Sequence, residues 1–402
     1  MSARLLLFTG KGGVGKTTLA AATAAALAAG GRKTLVVSTD PAHSLGDALG
    51  VPLSGQAAEV DGADLFGSLH AAQVDPRALV DEAWRDLRGH LRTVLAGAGV
   101  DELDAEELTV LPGVEELLSL TEVQRLVRAG TWDVVVVDCG PTAETLRLLA
   151  LPEAFASYLE RLFPTHRRVV RGLLAGVAGS GSVERWDATA DALGRLAENL
   201  DQLRALLASP DTGVRLVLTP ERVVAAETRR TVTALALQGI RVDGVVANRV
   251  VPHPGAGAGP AADWLRTRRA EQDAVLAELA DLGEVRAVEH RAAEPVGPAA
   301  LLDVAEGLYR GRDPLEGTAP GGPLLAVERT GDLEYTLRLA LRVGDSDLDL
   351  ARVGDELAVT VDGRRKLVAL PSLLKRCAVT GAELDDTGLA VRFAPDPELW
   401  MR

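Results

Sequence analysis

Residues 10–18 read Gly-Lys-Gly-Gly-Val-Gly-Lys-Thr-Thr, directly after the apolar run Leu5 to Phe8 and directly before the alanine-rich stretch Leu19 to Ala28. An apolar run, a glycine-rich turn and a helical segment in that order predict a strand, a phosphate loop and a helix. Gly10, Gly12, Gly13 and Gly15 let backbone N–H groups converge on phosphate oxygens without Cβ clashes, and the helix N-terminus adds positive dipole. Lys16 supplies a point charge for the β and γ phosphates, and Thr17 is placed to hold Mg²⁺. With Val14 and Thr18, these residues make up the candidate nucleotide loop.

Lys11 is the second clue. Of 43 Lys plus Arg, only Lys11, Lys16, Lys33, Lys366 and Lys375 are lysines, and the first two share this loop. A compact, rotatable ammonium suits a tight phosphate cradle better than a broad guanidinium fork. The alternative for Lys11 is an ordinary solvated charge.

A chain of 402 residues with 47% hydrophobic content can bury one large core and a smaller second one. A net charge of −14 and a pI near 5.0 argue against a nucleic-acid partner, because no Lys- or Arg-rich stripe dominates any segment. Two cysteines, Cys139 and Cys377, make neither a disulfide framework nor a four-cysteine zinc site. No leader pattern precedes the first strand and no apolar stretch approaches the ~18 residues of a spanning helix. The expectation is a soluble cytoplasmic protein.

Further along, Thr34 to Ser38 and Val134 to Val137 read as buried parallel strands. The first delivers Thr39-Asp40-Pro41-Ala42-His43-Ser44 and the second Asp138-Cys139-Gly140-Pro141-Thr142 at the ends where open α/β sheets place ligands. Residues 79–130 read as mostly helical, and 152–209 as a long helical insertion broken at Gly179-Ser180-Gly181, a natural lid or docking surface. Strands return at Arg215 to Leu218, Gly244 to Ala247 and Val285 to Val288. A Gly/Pro-rich loop spans Pro252 to Pro260, and a helix runs from Ala299 to Tyr309. Beyond a linker at Gly317 to Pro323, period-two alternation (Tyr335 to Val343, Leu357 to Val361, Leu389 to Phe393) with Asp-Gly and Pro turns predicts a small β-sandwich. The fold class is therefore α/β, a phosphate-loop nucleotide hydrolase fold with a mostly parallel sheet, a helical insertion and a C-terminal all-β sandwich.

Phosphoryl transfer requires positioning, charge neutralisation, Mg²⁺ and a group that orients the attacking water. Asp138, closing a run of four valines, is placed to hold Mg²⁺ through water; a helix N-cap is the other common use of an acid there. Asp40 ends the neighbouring strand, where it can polarise a water for attack on the γ phosphate.

Gly10 to Thr18 resembles the deviant Walker A loop of the SIMIBI class of P-loop ATPases, in which the first lysine marks dimeric members. Ser38-Thr39-Asp40-Pro41-Ala42-His43-Ser44-Leu45-Gly46-Asp47 resembles switch I of the ArsA/Get3 family, the arsenite-pump and tail-anchored-protein-targeting ATPases. Asp138 to Leu149 is similar to that family's switch II, with Glu144 where many members have histidine, and Pro112 to Glu116 and Glu227-Thr228 match further landmarks. The likeness covers about residues 1–312.

The resemblance implies that Lys11 crosses a two-fold interface to the partner's nucleotide and that Asp40 activates water. It implies that Asn248 reads the adenine and that Glu227 lies near the nucleotide; a strand-end turn residue and a solvated helix charge are the alternatives for these two. ATP and Mg²⁺ are the implied cofactors, and a homodimer is the implied state. Pro252 to Arg269 lacks the Cys-x-x-Cys with which zinc-binding members join subunits, so no zinc is expected. Two cysteines cannot gather three thiolates around arsenite, and with only Met1 and Met401 the chain has no methionine-lined groove; Leu159, Leu162, Leu173, Leu174 and Val177 offer a groove or a core face instead.

The tail resembles the small heat-shock-protein, or α-crystallin-like, domain appended to some bacterial ArsA-type ATPases, on Leu370-Pro371 and on Ala382 to Val391. The expected domains are thus an ATPase domain at 1–315, with its client or lid region at about 150–210, and a β-sandwich at 316–402. The expected function is a Mg²⁺-dependent ATPase whose nucleotide state switches a homodimer that binds and releases a hydrophobic protein client. The alternatives are an energising subunit for anion or arsenite efflux at a membrane partner, and a chaperone-like binding module with regulatory hydrolysis.

Overall fold

The computed structural model describes residues 3–42, 44–62, 68–76, 78–79, 114–129, 131–140, 198–199, 201–316, 325–331, 333–339, 348–361, 364–385 and 388–396. The expectations for His43, Pro112-Gly113, the switch II residues after Gly140, most of the 150–210 helices and the 317–323 linker lie outside the described residues. The chain forms two compact units, one of Met1–Ser209 with Ala293–Pro314 and one of Pro210–Ala292 with Leu315–Arg402.

The first unit is a parallel sheet with one short antiparallel edge. Strands β1 (Arg4–Gly10), β2 (Thr34–Ser38), β3 (Ala58–Glu59), β4 (Leu69–Gln73) and β5 (Val134–Asp138) lie in the order β3-β4-β2-β5-β1. Continuous apolar runs such as Leu5 to Phe8 and Val134 to Val137 are buried along their length, as strands covered on both faces require. In register, Phe8 pairs with Asp138, Ser38 with Asp138, and Ser38 with Gln73. The carboxyl ends of four parallel strands are therefore level.

Helix α1 (Lys16–Ala29) lies against this sheet, with Leu19, Leu27 and six alanines among its buried residues. Alanine permits close backbone approach and has a high helix propensity, so one composition serves both needs. Short helix α2 (Ser44–Leu49) packs beside α1, and α3 (Val114–Arg128) follows later in the chain.

The second unit holds parallel strands β6 (Thr212–Leu218), β7 (Val242–Val250) and β8 (Val285–Glu289), with helices α4 (Arg222–Leu237) and α5 (Pro260–Glu278). Helix α6 (Pro298–Tyr309) returns to the first unit, where Tyr309 and Thr23 of α1 share a buried hydroxyl–hydroxyl bond of 2.6 Å. Arg215 and Asp243 form a buried ion pair on β6 and β7, 3.4 Å apart. Gly213 is required beside them, since a Cβ there would come 2.5 Å from the Asp243 carboxylate.

The expected sandwich is present as two antiparallel sheets. Strands β9 (Leu325–Arg329), β10 (Tyr335–Leu339), β14 (Cys377–Asp385) and β15 (Gly388–Pro395) form one, in the order β14-β15-β10-β9. Strands β11 (Leu348–Val353), β12 (Glu356–Val361) and β13 (Arg364–Ala369) form the other. Inward residues of both sheets share one core, with Leu337 and Phe393 from the first packing with Leu357 and Val359 from the second. Leu237, the last residue of α4, is part of that core.

Candidate functional site

The loop between β1 and α1 is shaped by its glycines. Gly13 and Gly15 adopt φ of +78° and +91°, backbone that side chains rarely tolerate, and a Cβ on Gly12 or Gly13 would meet nothing within 4 Å. The loop thus presents main chain to open space. Gly15 caps α1 with no side-chain hydrogen bond, and no acid of the helix's own first turn competes for its leading N–H groups, which face the loop. Lys16 is only 6% exposed and its Nζ donates to the Lys11 carbonyl at 3.3 Å. Lys11 itself is exposed.

Asp138 occupies the tip of β5 and is fully buried. Its Oδ2 accepts from the Thr17 hydroxyl at 2.7 Å and from the Ser38 hydroxyl at 3.2 Å, whereas Oδ1 is buried with no hydrogen-bond partner. Burial pushes its pKa up to about 6, against the pull of the Thr17 bond and the nearby Lys16 charge; Asp40 adds to the rise. An unpaired carboxylate oxygen beside a threonine hydroxyl is a hard oxygen donor set, which suits Mg²⁺ and its retained waters.

Asp40 is half-buried at the end of β2 and bends into its own turn, with Oδ1 accepting from the Ala42 N–H at 3.0 Å. Its main-chain N–H donates to Ser38 Oγ at 3.2 Å, so one hydroxyl bridges the two acids' segments. Ser44, at the start of α2, meets Thr17 at 3.1 Å, hydroxyl to hydroxyl. Nothing in the sequence alone assigns Ser38 or Ser44 a role of its own. A hydroxyl at a strand end reads as a turn residue, and only the register that sets Ser38 beside Asp138 shows its use.

The structure brings Lys11, Lys16, Thr17, Asp40 and Asp138 together within the first unit. Glu227 and Asn248 belong to the second, Glu227 on α4 and Asn248 on β7. Asn248 sits where the β7–β8 register shifts and is followed by Arg249 at φ +57°, so the strand is bent at this residue. Cys139 is buried next to Asp138, and burial pushes its thiol well up; Cys377 in the tail is shifted the same way.

Level parallel strand tips that carry a glycine loop, a buried lysine, a threonine and two acids define a phosphate-loop nucleotide hydrolase. The family model described as anion-transporting ATPase matches residues 3–310, and the HSP20-like domain found in ArsA matches residues 332–393. A protein of Mycobacterium tuberculosis H37Rv is 41% identical over 99% of this chain and 97% of its own length. A Streptomyces coelicolor protein is 39% identical over 99% of both. A Chlorobaculum tepidum protein, provisionally named an arsenical pump-driving ATPase, is 32% identical over 97% of this chain and 96% of its own length. The chain belongs to the anion-transporting, or ArsA, ATPase family, and it is an ATP hydrolase.

Proposed function

We propose that the protein is a cytoplasmic, Mg²⁺-dependent ATPase of the ArsA/Get3 type with a deviant Walker A loop, in which ATP binding and hydrolysis switch a homodimer that captures and releases a hydrophobic protein client. The observation that carries this reading is Asp138, whose Oδ2 holds Thr17 while the buried Oδ1 stays unpaired. Thr17 and Asp138 are the residues to hold Mg²⁺, which when bound neutralises charge on the phosphates. The loop from Gly10 to Thr18 cradles the phosphates and Lys16 balances their charge. Asp40 orients the attacking water, and the turn that follows it, Pro41-Ala42, is exposed. Lys11, exposed on the same loop, reaches the nucleotide of a second copy. Asn248 and Glu227 complete the nucleotide contacts, and the division between ATPase domain and sandwich falls near residue 315. Among the described residues no helix is long and apolar enough to cross a membrane.

Steady-state ATPase assays test the site. Lys16→Ala and Asp40→Asn are each expected to lower kcat by about a hundredfold or more, and wild-type turnover in either variant contradicts the assignment. Light scattering tests the switch, with ATP expected to favour a dimer in the parent but not in Lys11→Ala.

The names of several relatives favour a second reading, that hydrolysis drives efflux of an arsenical anion at a membrane partner. Both thiols of this chain are buried and shifted toward the neutral form, which suits a soft metalloid poorly. Stimulation of ATP turnover by arsenite would favour efflux over client handling.

A further inference from the structure

No motif marks Gln73, yet the chain around the switch segment converges on it. It ends β4 with only 3% of its surface exposed. Its Nε2 donates to the Asp40 carbonyl at 2.9 Å and leans toward the Val74 carbonyl at 3.4 Å. Two carbonyl acceptors fix which way the amide faces, because the reverse orientation would set oxygen against oxygen. The Gln73 main-chain N–H donates to the Ser54 carbonyl at 2.8 Å. One residue therefore holds the segment from Asp40 to Ser54 at both ends.

This arrangement is costly for stability alone. The Gln73 Oε1 is buried with no hydrogen-bond partner, a penalty that an apolar side chain of similar length would avoid. What the amide contributes is orientation. Ser38 Oγ fixes the N–H side of Asp40 and Gln73 fixes its carbonyl side, so the peptide planes on either side of the Asp40 Cα are held while its carboxylate points into the turn. Beside the clamp, a cleft of about 570 Å³ lined by Gly46, Asp47, Gly50, Val51, Pro52, Leu53 and Gln73 itself leaves the segment room to shift when that bond is cut.

We propose that Gln73 is a positioning residue for ATP hydrolysis, holding Asp40 at the angle from which it orients water. The inference rests on the water-orienting role of Asp40 given above. Gln73 touches none of the residues of the phosphate loop through a side-chain bond, so its loss separates turnover from nucleotide affinity.

The test is steady-state ATPase kinetics of the full-length protein, with thermal melting as the folding control. Gln73→Met is expected to lower kcat about ten- to a hundredfold, the cost of a misplaced catalytic group, with KM for ATP little changed. Gln73→Glu supplies a readout that a purely structural role does not move. Its carboxyl can donate to the Asp40 carbonyl only while protonated. Among the described residues on the elements around it, Asp40, Asp47, Glu59, Asp75 and, one strand beyond, Asp138 favour that form, and they outnumber His70 on β4 and Lys16 at the start of α1, which oppose it. The ratio of its kcat to that of the parent is expected near one at about pH 6 and to fall about tenfold by about pH 8.5. Asp40→Asn is assayed alongside. Parent-like kcat in Gln73→Met while Asp40→Asn is inactive overturns the proposal, as does a Gln73→Glu ratio that does not change with pH. Parent-like turnover in Asp40→Asn overturns the role of Asp40 itself. If Gln73→Met fails to melt cooperatively, the pH ratio of Gln73→Glu decides, because it compares one folded protein with itself.

Discussion

The strand tips of the first unit and the sandwich of the second bury opposite kinds of group. At the tips of β2, β4 and β5 the buried side chains are Ser38, Gln73 and Asp138, and they hold one another or the main chain, leaving two oxygens unpaired. In the sandwich the buried side chains are Leu337, Leu357, Val359, Phe393 and their apolar neighbours. The sandwich core is built to be stable. The strand tips give up stability to keep charge and hydrogen-bonding capacity in a dry place, the usual condition of a site made for chemistry.

The largest expected effect breaks the first region and spares the second. Asp138→Asn keeps the shape of the side chain and removes the charge, so ATPase kcat is expected to fall about a thousandfold, with circular dichroism and sandwich melting unchanged. A variant within about tenfold of the parent would mean that Asp138 is only a strand cap.

Next in size is the converse. Phe393 is 1% exposed in the sandwich core, and Phe393→Ala is expected to cost about 3–5 kcal/mol in denaturant unfolding of the tail. ATP turnover should stay close to parental, since no site residue lies in the sandwich. Loss of turnover in step with tail unfolding would instead show that α4, whose terminal Leu237 is part of the sandwich core, transmits tail disorder into the ATPase.

Much of this contrast was legible in the sequence. The glycine loop, Asp40 and Asp138 follow apolar runs whose strand character is local, and the alternation of Tyr335, Leu337 and Leu339 matches the buried face of β10. Strand β4 was not legible. Leu-His-Ala-Ala-Gln has no β-branched residue and is a strand because β2 and β3 pair with it on either side, a tertiary effect that overrides propensity. Gln73 was hidden with it, since a polar residue at the end of an unrecognised strand looks like surface. Ser38 was visible as a residue but not as a bridge, because its partners are 100 positions away and two positions on.

A smaller effect sharpens the idea that the first region gives up stability. The Asp138 pKa of about 6 lies above the unfolded value of 3.8, so the folded protein binds this proton more tightly than the unfolded chain. The stability tied to it is fully present below the unfolded value and is lost as pH rises through about 6. Asparagine does not titrate. In metal-free buffer Asp138→Asn is therefore expected to be more stable than the parent by up to about 3 kcal/mol at neutral pH, with the advantage shrinking toward pH 4. An equal or lower stability at neutral pH would mean that the Thr17 and Ser38 bonds already repay burial of the charge.

The smallest effect concerns charges outside both cores. Arg338 and Glu328 meet at 3.2 Å across β10 and β9, with side chains 38% and 51% exposed. Water screens such a pair and holding two long side chains together costs entropy, so a double-mutant cycle to alanine should return a coupling of about 0.5 kcal/mol or less. The contrast with Asp138 is one of solvent access: a fully buried carboxylate changes stability by its own hydration cost, whereas the Glu328 carboxylate keeps most of its water whether or not Arg338 is there. A coupling above about 1 kcal/mol would show that this edge of the sandwich is drier than its exposure indicates, and that charge contributes to the stability of the tail as well as to the chemistry of the first unit.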